Sequence, residues 1–367
     1  MAGNSIGKAF VVTSFGESHG KQVGVVVDGC PAGLGFSEAD VQTDLDRRIP
    51  QKPNIVSARR EKDIPQISSG IFNGFTTGAP ICITVENKEI RSSDYEAIRN
   101  LPRPSHADYT ARMKYGGFND YRGGGRFSGR VTVTIIMAGA LAKKLLSRLG
   151  VTVLAYTKSI DKIKMSKQMS WEEINNHRYE SAVRCPDLEL GEQMETAIAD
   201  AAEAGNSLGG TVECLALNVP SGVGEPLMDA LDADLAKAIF TVPAVKGVAF
   251  GAGFALTELR GSEANDPFRM KDGKVAAASN LAGGILGGIS SGMPITMQVA
   301  IKPTPSISKE QHTVDLSKMK DATIKVGGRH DPCVVPKAVP AIEAAVAITI
   351  ADHMMRAGII PPVLKGP

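Results

Sequence analysis

Apolar residues in the first 90 positions occur in short runs or alternate with polar residues, a pattern typical of β-strands. The polar stretch at 16–20 connects the first two predicted strands and carries His19. An acidic turn after Ser37 and a basic end at Arg48 predict a helix between these residues. The predicted strands lie at 9–13, 23–27, 66–72 and 81–85.

A polar segment at 94–118 has no clear period, so we expect an irregular loop that carries function rather than packing. It contains His106. The segment 132–149 has the apolar spacing of a helix, with basic residues on its other face and Gly150 after its end. A glycine-arginine segment at 121–130 leads into the N-terminus of this helix, where free N–H groups favour anions.

Strands and helices are mixed in the rest of the chain without a regular βαβ order. This mixture indicates an α+β fold, with large sheets packed on a helical layer, rather than a doubly wound sheet. The order of glycine patch, strand and helix recurs in both halves, which suggests internal duplication, although no fixed period accompanies it. The predicted helices lie at 171–177, 190–205, 226–239 and 338–355, and the predicted strands at 151–156, 211–218, 245–250, 254–260 and 294–301.

Composition narrows the class of protein. The 367 residues are 43% hydrophobic and 22% charged, which is typical of a globular protein. The formal net charge of +2 is too balanced for a nucleic-acid-binding surface, so we expect any bound anion to be small. The five cysteines lack paired spacing, which disfavours structural zinc and disulfides. Without a signal-peptide pattern or a membrane-length apolar run, we expect a cytoplasmic protein that does not contact a membrane.

Two of the six histidines lie beside a carboxylate among small or rigid residues, in Gly-Glu-Ser-His-Gly at 16–20 and Arg-Pro-Ser-His-Ala-Asp at 103–108. An imidazole held in this way can donate or accept a proton near neutral pH, so His19 and His106 are candidate acid–base groups. Taken singly, each fits a half-buried structural histidine or a loop staple equally well. The remaining histidines outside 327–332 lack such neighbours and are expected to be structural or exposed: His177, His312 and His353.

Three further segments combine cations and hydroxyls with glycine or proline, a combination suited to phosphate groups. The segment 121–130 places three arginines and Ser128 around a triple glycine, and arginine forks match phosphate oxygens bidentately. The segments 302–306 and 327–332 each add a cation to hydroxyl, imidazole or carboxylate groups. The simpler interpretations are a wide turn for 121–130, a proline-braced loop for 302–306 and a capped turn for 327–332. Together the segments suggest proton transfer beside bound phosphate.

Taken in order, these motifs resemble those of chorismate synthases. The resemblance runs from Gly7 to about residue 357 and implies one domain over 1–367, a β-α-β sandwich of antiparallel sheets around a helical layer, and a homotetramer. It also implies conversion of 5-enolpyruvylshikimate 3-phosphate to chorismate and phosphate, the last common step toward aromatic amino acids, with reduced FMN that is not consumed. The motifs are FGESHG, DLDRR, RPSHAD, YRGGGR, AVKGV, GSEAND, AGGILGGISSG, KPTPSI and GRHDPC.

The resemblance implies a role for each matching position. His19 corresponds to the acid that protonates the departing phosphate, His106 to the acid that protonates reduced flavin, and Asp331 to the carboxylate near flavin N5. Ser18 and Ser128 correspond to relay hydroxyls. The implied substrate-binding residues are Arg48, Arg103, Arg130 and Arg329. The implied FMN-binding residues are Arg126, Phe127, Ser128, Ala244, Gly287, Lys302, Pro303, Thr304, Pro305, Ser306 and Arg329.

The chain departs from the usual family pattern at three of these sites. Val131 stands where a glutamate is usual, and this change removes a partner for a neighbouring arginine. Asn54 stands where an arginine is common, and Phe127 stands where serine is frequent. Two other functions fit the same residues, a flavin-dependent oxidoreductase and a non-catalytic binder of flavin or phosphorylated metabolites. The reductant for FMN, NADPH or an external source, stays open because no separate nicotinamide motif stands out.

Overall fold

The computed structural model describes residues 3–49, 62–88, 93–96, 98–327 and 330–364. The N-terminal part of this range forms a five-stranded antiparallel sheet in the order β1-β2-β3-β7-β4. The predicted strand at 66–72 is divided into two short strands, because Gly70 between them has a φ of +82°. The strands are β1 (Ser5–Ile6), β2 (Val11–Gly16), β3 (Gln22–Asp28), β4 (Gln66–Ile67), β5 (Ile71–Phe72), β6 (Phe75–Thr76) and β7 (Ile81–Glu86).

A second five-stranded antiparallel sheet has the order β11-β16-β10-β8-β9. Its strands come from residues far apart in the chain, and four separate two-stranded hairpins of the described residues lie outside the two large sheets. The remaining strands are β8 (Thr152–Ile160), β9 (Ile163–Lys164), β10 (Gly210–Leu217), β11 (Val245–Phe250), β12 (Phe268–Lys271), β13 (Lys274–Ala277), β14 (Ile285–Leu286), β15 (Ile289–Ser290), β16 (Ile295–Ile301), β17 (Glu310–Asp315) and β18 (Lys320–Lys325).

Helices separate the two sheets. The helices are α1 (Glu38–Arg48), α2 (Ser93–Glu96), α3 (Asp108–Tyr115), α4 (Thr132–Ser147), α5 (Trp171–His177), α6 (Leu188–Glu203), α7 (Leu231–Ile239), α8 (Gly261–Ala264) and α9 (Val335–Arg356). Helix α4 packs on β2 and β3 of the first sheet, α9 packs on β8 and β10 of the second, and the two helices pack on each other. This arrangement confirms the predicted α+β fold of antiparallel sheets around a helical layer.

Helix α9 is the only helix of the described residues that is long and apolar enough to cross a membrane, and 94% of its apolar window is buried inside the molecule. It is therefore a core helix. It also carries Glu343, which forms ion pairs with Arg178 and with Lys143 of α4, the latter at 2.8 Å. All five cysteines are free, in agreement with the absence of paired spacing.

Two predicted elements are wrong. The segment 94–118 is not irregular throughout, because it contains α2 and α3, and α3 begins at Asp108, where a carboxylate favours a helix N-terminus. The predicted strand at 254–260 is a 3₁₀ helix at Gly253–Glu258. Its apolar residues indicated a strand, but Phe254 is 85% exposed and Gly251 and Gly253 bend the backbone with positive φ.

Candidate active site

Three consecutive glycines lie between the two candidate histidines. Gly123, Gly124 and Gly125 all have positive φ, at 60°, 80° and 52°. A Cβ at Gly123 would overlap the His19 ring, and a Cβ at Gly124 would lie 3.1 Å from Cε1 of His106. The two imidazoles therefore lie against neighbouring residues of one backbone segment, which only glycine can form without strain or overlap.

His19 lies in the turn between β2 and β3, as predicted. The turn is held to the glycine segment by the Ser18 amide, which donates to the Gly125 carbonyl at 3.2 Å. The Asn87 side chain donates to the carbonyls of Glu17 and Gly20. His19 is only 7% exposed, and its ring meets the edge of Tyr95 at a centroid distance of 5.3 Å. The imidazole is therefore confined by backbone on one side and by an aromatic ring on another.

His106 forms a tight cluster with Asp108 and Arg103. Its Nδ1 lies 2.7 Å from Oδ1 of Asp108, and Arg103 donates to the same carboxylate through Nε at 2.8 Å and Nη2 at 2.9 Å. Nη2 also lies 3.2 Å from Nδ1 of His106. Because the anionic carboxylate is the better acceptor, Nδ1 carries a proton toward Asp108, and Nε2 faces Gly124.

The pKa of Asp108 is shifted by opposing effects. Burial alone would raise it, but the hydrogen bonds from Arg103 and His106 and their charges outweigh burial and hold the pKa well below its usual value. Asp108 is therefore an anion at neutral pH. It fixes the orientation of the His106 ring from the N-terminus of α3.

The segment 302–306 lies against the loop that carries Arg103 and His106. Nη1 of Arg103 donates to the Ser306 hydroxyl at 2.9 Å, and Nζ of Lys302 donates to the Ser105 carbonyl at 2.5 Å. The Lys302 amide donates to the carbonyl of Ala244, which has a φ of +71°. A non-glycine residue in that region costs of order 1–3 kcal/mol and tends to occur at functional sites.

A second cluster joins Arg48 and Arg130 through Asp63, which is 2% exposed. Nη1 of Arg130 pairs with Oδ1 of Asp63, and Nη1 of Arg48 lies 3.5 Å from its Oδ2. Arg130 also donates from Nε to Oδ1 of Asn87 at 2.9 Å. Asp63 and Asn87 thus partner Arg130, although Val131 replaces the usual glutamate.

A cavity of about 400 Å³ opens beside His106. Its cations and aromatic rings could contact an anionic ligand with a flat ring, and Phe127 is 37% exposed. Asp120 also lines it, and hydrogen bonds from Arg122 lower the pKa of this carboxyl. The lining includes Arg99, Arg103, Arg112, Tyr95, Tyr121, Phe127, His106, Asp108, Asp120 and Gly124.

The other predicted residues lie outside these clusters or at their edges. Ser128 accepts a hydrogen bond from the Arg130 amide, whereas Arg126 binds the carbonyls of Ser14 and Gly16 on β2. Asp331 accepts a hydrogen bond from Lys337 at 2.7 Å.

Gly287 lies in the β14–β15 turn, and a Cβ there would meet nothing within 4 Å in the described ranges. Pro303 and Pro305 flank Thr304, whose buried Oγ1 has no hydrogen-bond partner among the described residues. Arg329 and Asn54 lie outside those residues.

Sequence reasoning missed three residues of the site. Asp63, Asn87 and Tyr95 have no motif of their own, and each reaches the site through contacts with residues distant in the chain. The alternation that predicts β7 does place Asn87 directly after a buried strand, which is the one local signal for it.

Comparisons with known proteins agree with the motifs. The family model described as chorismate synthase matches residues 10–355. The chain is 54% identical over 362 residues to the chorismate synthase of Dehalococcoides mccartyi, covering 99% of each, and 51% identical over 362 residues to that of Methanosarcina barkeri, also covering 99% of each. A crystal structure of chorismate synthase matches with a TM-score of 0.75 at 29% identity, covering 96% of this chain and 93% of that one. The likeness therefore includes both sheets and the helical layer.

Proposed function

Because the chain belongs to the chorismate synthase family and is a carbon–oxygen lyase of the shikimate pathway, we propose that the elimination takes place between His19 and His106. The reaction converts 5-enolpyruvylshikimate 3-phosphate into chorismate and phosphate. The contact of the two imidazoles with Gly123 and Gly124 carries this proposal. Acid–base groups on either side of one segment suit a reaction that breaks a bond to phosphate and a C–H bond.

The phosphate leaves C3, and its developing charge must be stabilised. Arg48 and Arg130 supply cations, and Asn87 links Arg130 to the turn that carries His19. We assign His19 as the group that donates a proton to the leaving phosphate, with the hydroxyl of Ser18 close to the same glycine. Because His19 is largely shielded from water, its interaction with the anion is stronger than it would be at the surface.

The residues beside His106 fit reduced FMN. The cavity volume of about 400 Å³ falls within the range of about 300–1,000 Å³ that small-molecule pockets occupy. Phe127 lines this cavity, and Lys302 and Ser306 lie against the loop that carries Arg103 and His106. These residues would hold the cofactor together with the Thr304 hydroxyl, which has no hydrogen-bond partner among the described residues. Reduced FMN bound there would supply electron density to the allylic system without being consumed. His106 holds a proton on Nδ1 toward Asp108 and presents Nε2 to the same space.

An anaerobic assay with 5-enolpyruvylshikimate 3-phosphate and reduced FMN tests the proposal. We expect chorismate and phosphate in equal amounts, without stoichiometric use of reductant. His19→Ala and His106→Ala should each lower kcat by about 10²- to 10⁴-fold, the usual contribution of a general acid or base. FMN affinity, measured by flavin fluorescence, should change little.

The matched control is His177→Ala. His177 is also paired with a carboxylate, Glu180 at 3.2 Å, but it lies in α5 outside the site, so its loss should leave kcat unchanged. Wild-type kcat in either site variant would contradict the assigned acid roles. Consumption of one reductant per turnover would instead identify an oxidoreductase.

The quaternary and cellular assignments belong to the same proposal. A homotetramer is supported by exposed apolar side chains, including Met228 at 91% and Phe268 at 67% exposure, which a partner subunit would cover. One domain is supported by a hydrophobic core that includes residues of both sheets. The buried position of α9 and the five free cysteines support a cytoplasmic enzyme. NADPH and an external reductant both stay open as the source of electrons for FMN.

A further inference from the structure

Asn87 uses every hydrogen-bonding group of its side chain to join two parts of the site. It directly follows β7, and its Nδ2 donates to the carbonyls of Glu17 at 3.0 Å and Gly20 at 2.8 Å. Its Oδ1 accepts from Nε of Arg130 at 2.9 Å. The neighbours fix the amide orientation, because carbonyl oxygens can only accept and a guanidinium can only donate. Asn87 is 8% exposed, so water does not compete readily for these bonds.

The two carbonyls that Asn87 holds are at either end of the turn that carries His19. On its other side, Arg130 is fixed by Asp63 and by the Glu86 carbonyl. One buried amide thus sets the position of an imidazole relative to a guanidinium. We propose that Asn87 is a positioning residue of the elimination, which aligns the proton on His19 with the phosphate held by Arg130. This inference depends on the roles proposed above for His19 and Arg130.

Asn87→Asp tests the two contacts of Asn87 separately. Asn87→Asp keeps an oxygen that accepts from Arg130, but its second oxygen would face the carbonyls of Glu17 and Gly20 without a proton to donate. The turn should then move away while Arg130 stays in place. Asn87→Ala removes both contacts and should displace both groups. The two variants therefore predict different kinetic patterns.

The experiment measures kcat and KM for both variants with reduced FMN and 5-enolpyruvylshikimate 3-phosphate. Asn87→Asp should lower kcat by about 10- to 100-fold, the effect of a displacement near 1 Å, with KM within about threefold of wild type. Asn87→Ala should lower kcat similarly and also raise KM. Hydrogen–deuterium exchange of the peptide containing 17–20 should accelerate in both variants, while exchange in α4 stays at the wild-type rate.

Asn175→Ala is the matched control, because Oδ1 of Asn175 also accepts from an arginine, Arg178 at 3.4 Å, but lies in α5. It should leave kcat, KM and exchange at 17–20 unchanged. If Asn87→Ala does not fold, Asn87→Ser, which keeps one donor and one acceptor, replaces it in the comparison.

Wild-type kcat and KM in the Asn87 variants, with only a lower melting temperature, would overturn the positioning role. That result would leave the proposed function intact, whereas wild-type kcat in His19→Ala would contradict the function itself.

Discussion

At the scale of single residues, Asp108 determines which nitrogen of His106 carries a proton. The carboxylate lies 2.7 Å from Nδ1, and Arg103 helps to keep it ionised. With Nδ1 held by Asp108, the ring presents Nε2 to the cavity. The nitrogen that faces the cavity is therefore set by Asp108.

Asp108→Asn should disturb this arrangement while nearly preserving side-chain volume. The amide can donate to Nδ1, which shifts the ring proton toward Nε2, so we expect kcat to fall by roughly 10- to 100-fold, part of the usual acid–base contribution. Nitrogen-15 NMR of labelled histidine would report the tautomer directly. Glu180→Gln is the control, since it alters an exposed carboxylate paired with His177. An unchanged His106 tautomer in Asp108→Asn would contradict the expectation.

The residues with local signals were predictable, and those defined by distant contacts were not. His19 and His106 stand out because each lies beside a carboxylate among small or rigid residues. Asp63 and Asn87 join the site only in the folded structure. There, the chain after α1 and the end of β7 contact the segment before α4 through Arg130. The hydrophobic pattern specifies which face of a strand is buried, but it does not specify which polar side chain its end will meet.

At the scale of elements, the glycine segment 123–125 acts as a spacer between two imidazoles. Gly123→Ala should affect both stability and the position of His19. The φ of +60° costs an alanine about 1–2 kcal/mol, and the added Cβ would overlap the His19 ring. We expect a strong loss of kcat together with a lower melting temperature. Gly129→Ala is the control, since a Cβ there meets nothing within 4 Å of the described residues. Equal kcat in the two variants would contradict the spacer role.

Elements with long apolar periodicity were predicted well. The predicted helix at 132–149 is α4 at Thr132–Ser147, and the predicted helix at 338–355 is α9 at Val335–Arg356. Short elements failed, because α3 buries only Ala111 and so has almost no apolar period to detect. The strand predicted at 254–260 failed because exposed apolar residues have the same sequence signal as buried ones.

At the scale of the whole molecule, Glu343 connects the helical layer to charges on two other elements. Burial alone would raise its pKa, but the charges of Arg178 and Lys143 and their hydrogen bonds lower it to about 2. A carboxyl with a lowered folded-state pKa stabilises the protein above its unfolded pKa of about 4.3. That stabilisation is lost as the pH falls from there toward 2.

Glu343→Gln should therefore lower the free energy of unfolding at pH 7 by about 3–5 kcal/mol, because the buried Arg178 loses its carboxylate partner and Lys143 keeps only Asp44. The difference in unfolding free energy between wild type and variant should shrink as the pH falls below about 4.3. Protonation of Glu343 begins there to remove its stabilising effect in the wild type. Urea unfolding at several pH values measures both effects. Glu203→Gln, at the exposed end of α6, is the control and should match wild type. A pH-independent difference would contradict the charge-based explanation.

The position of α9 in the chain has a consequence for biosynthesis. This helix covers β8 and β10, yet it is translated after every strand of both sheets. A nascent chain therefore carries an uncovered apolar sheet face until α9 leaves the ribosome. During that interval we expect chaperones that shield hydrophobic surface to bind the emerging polypeptide.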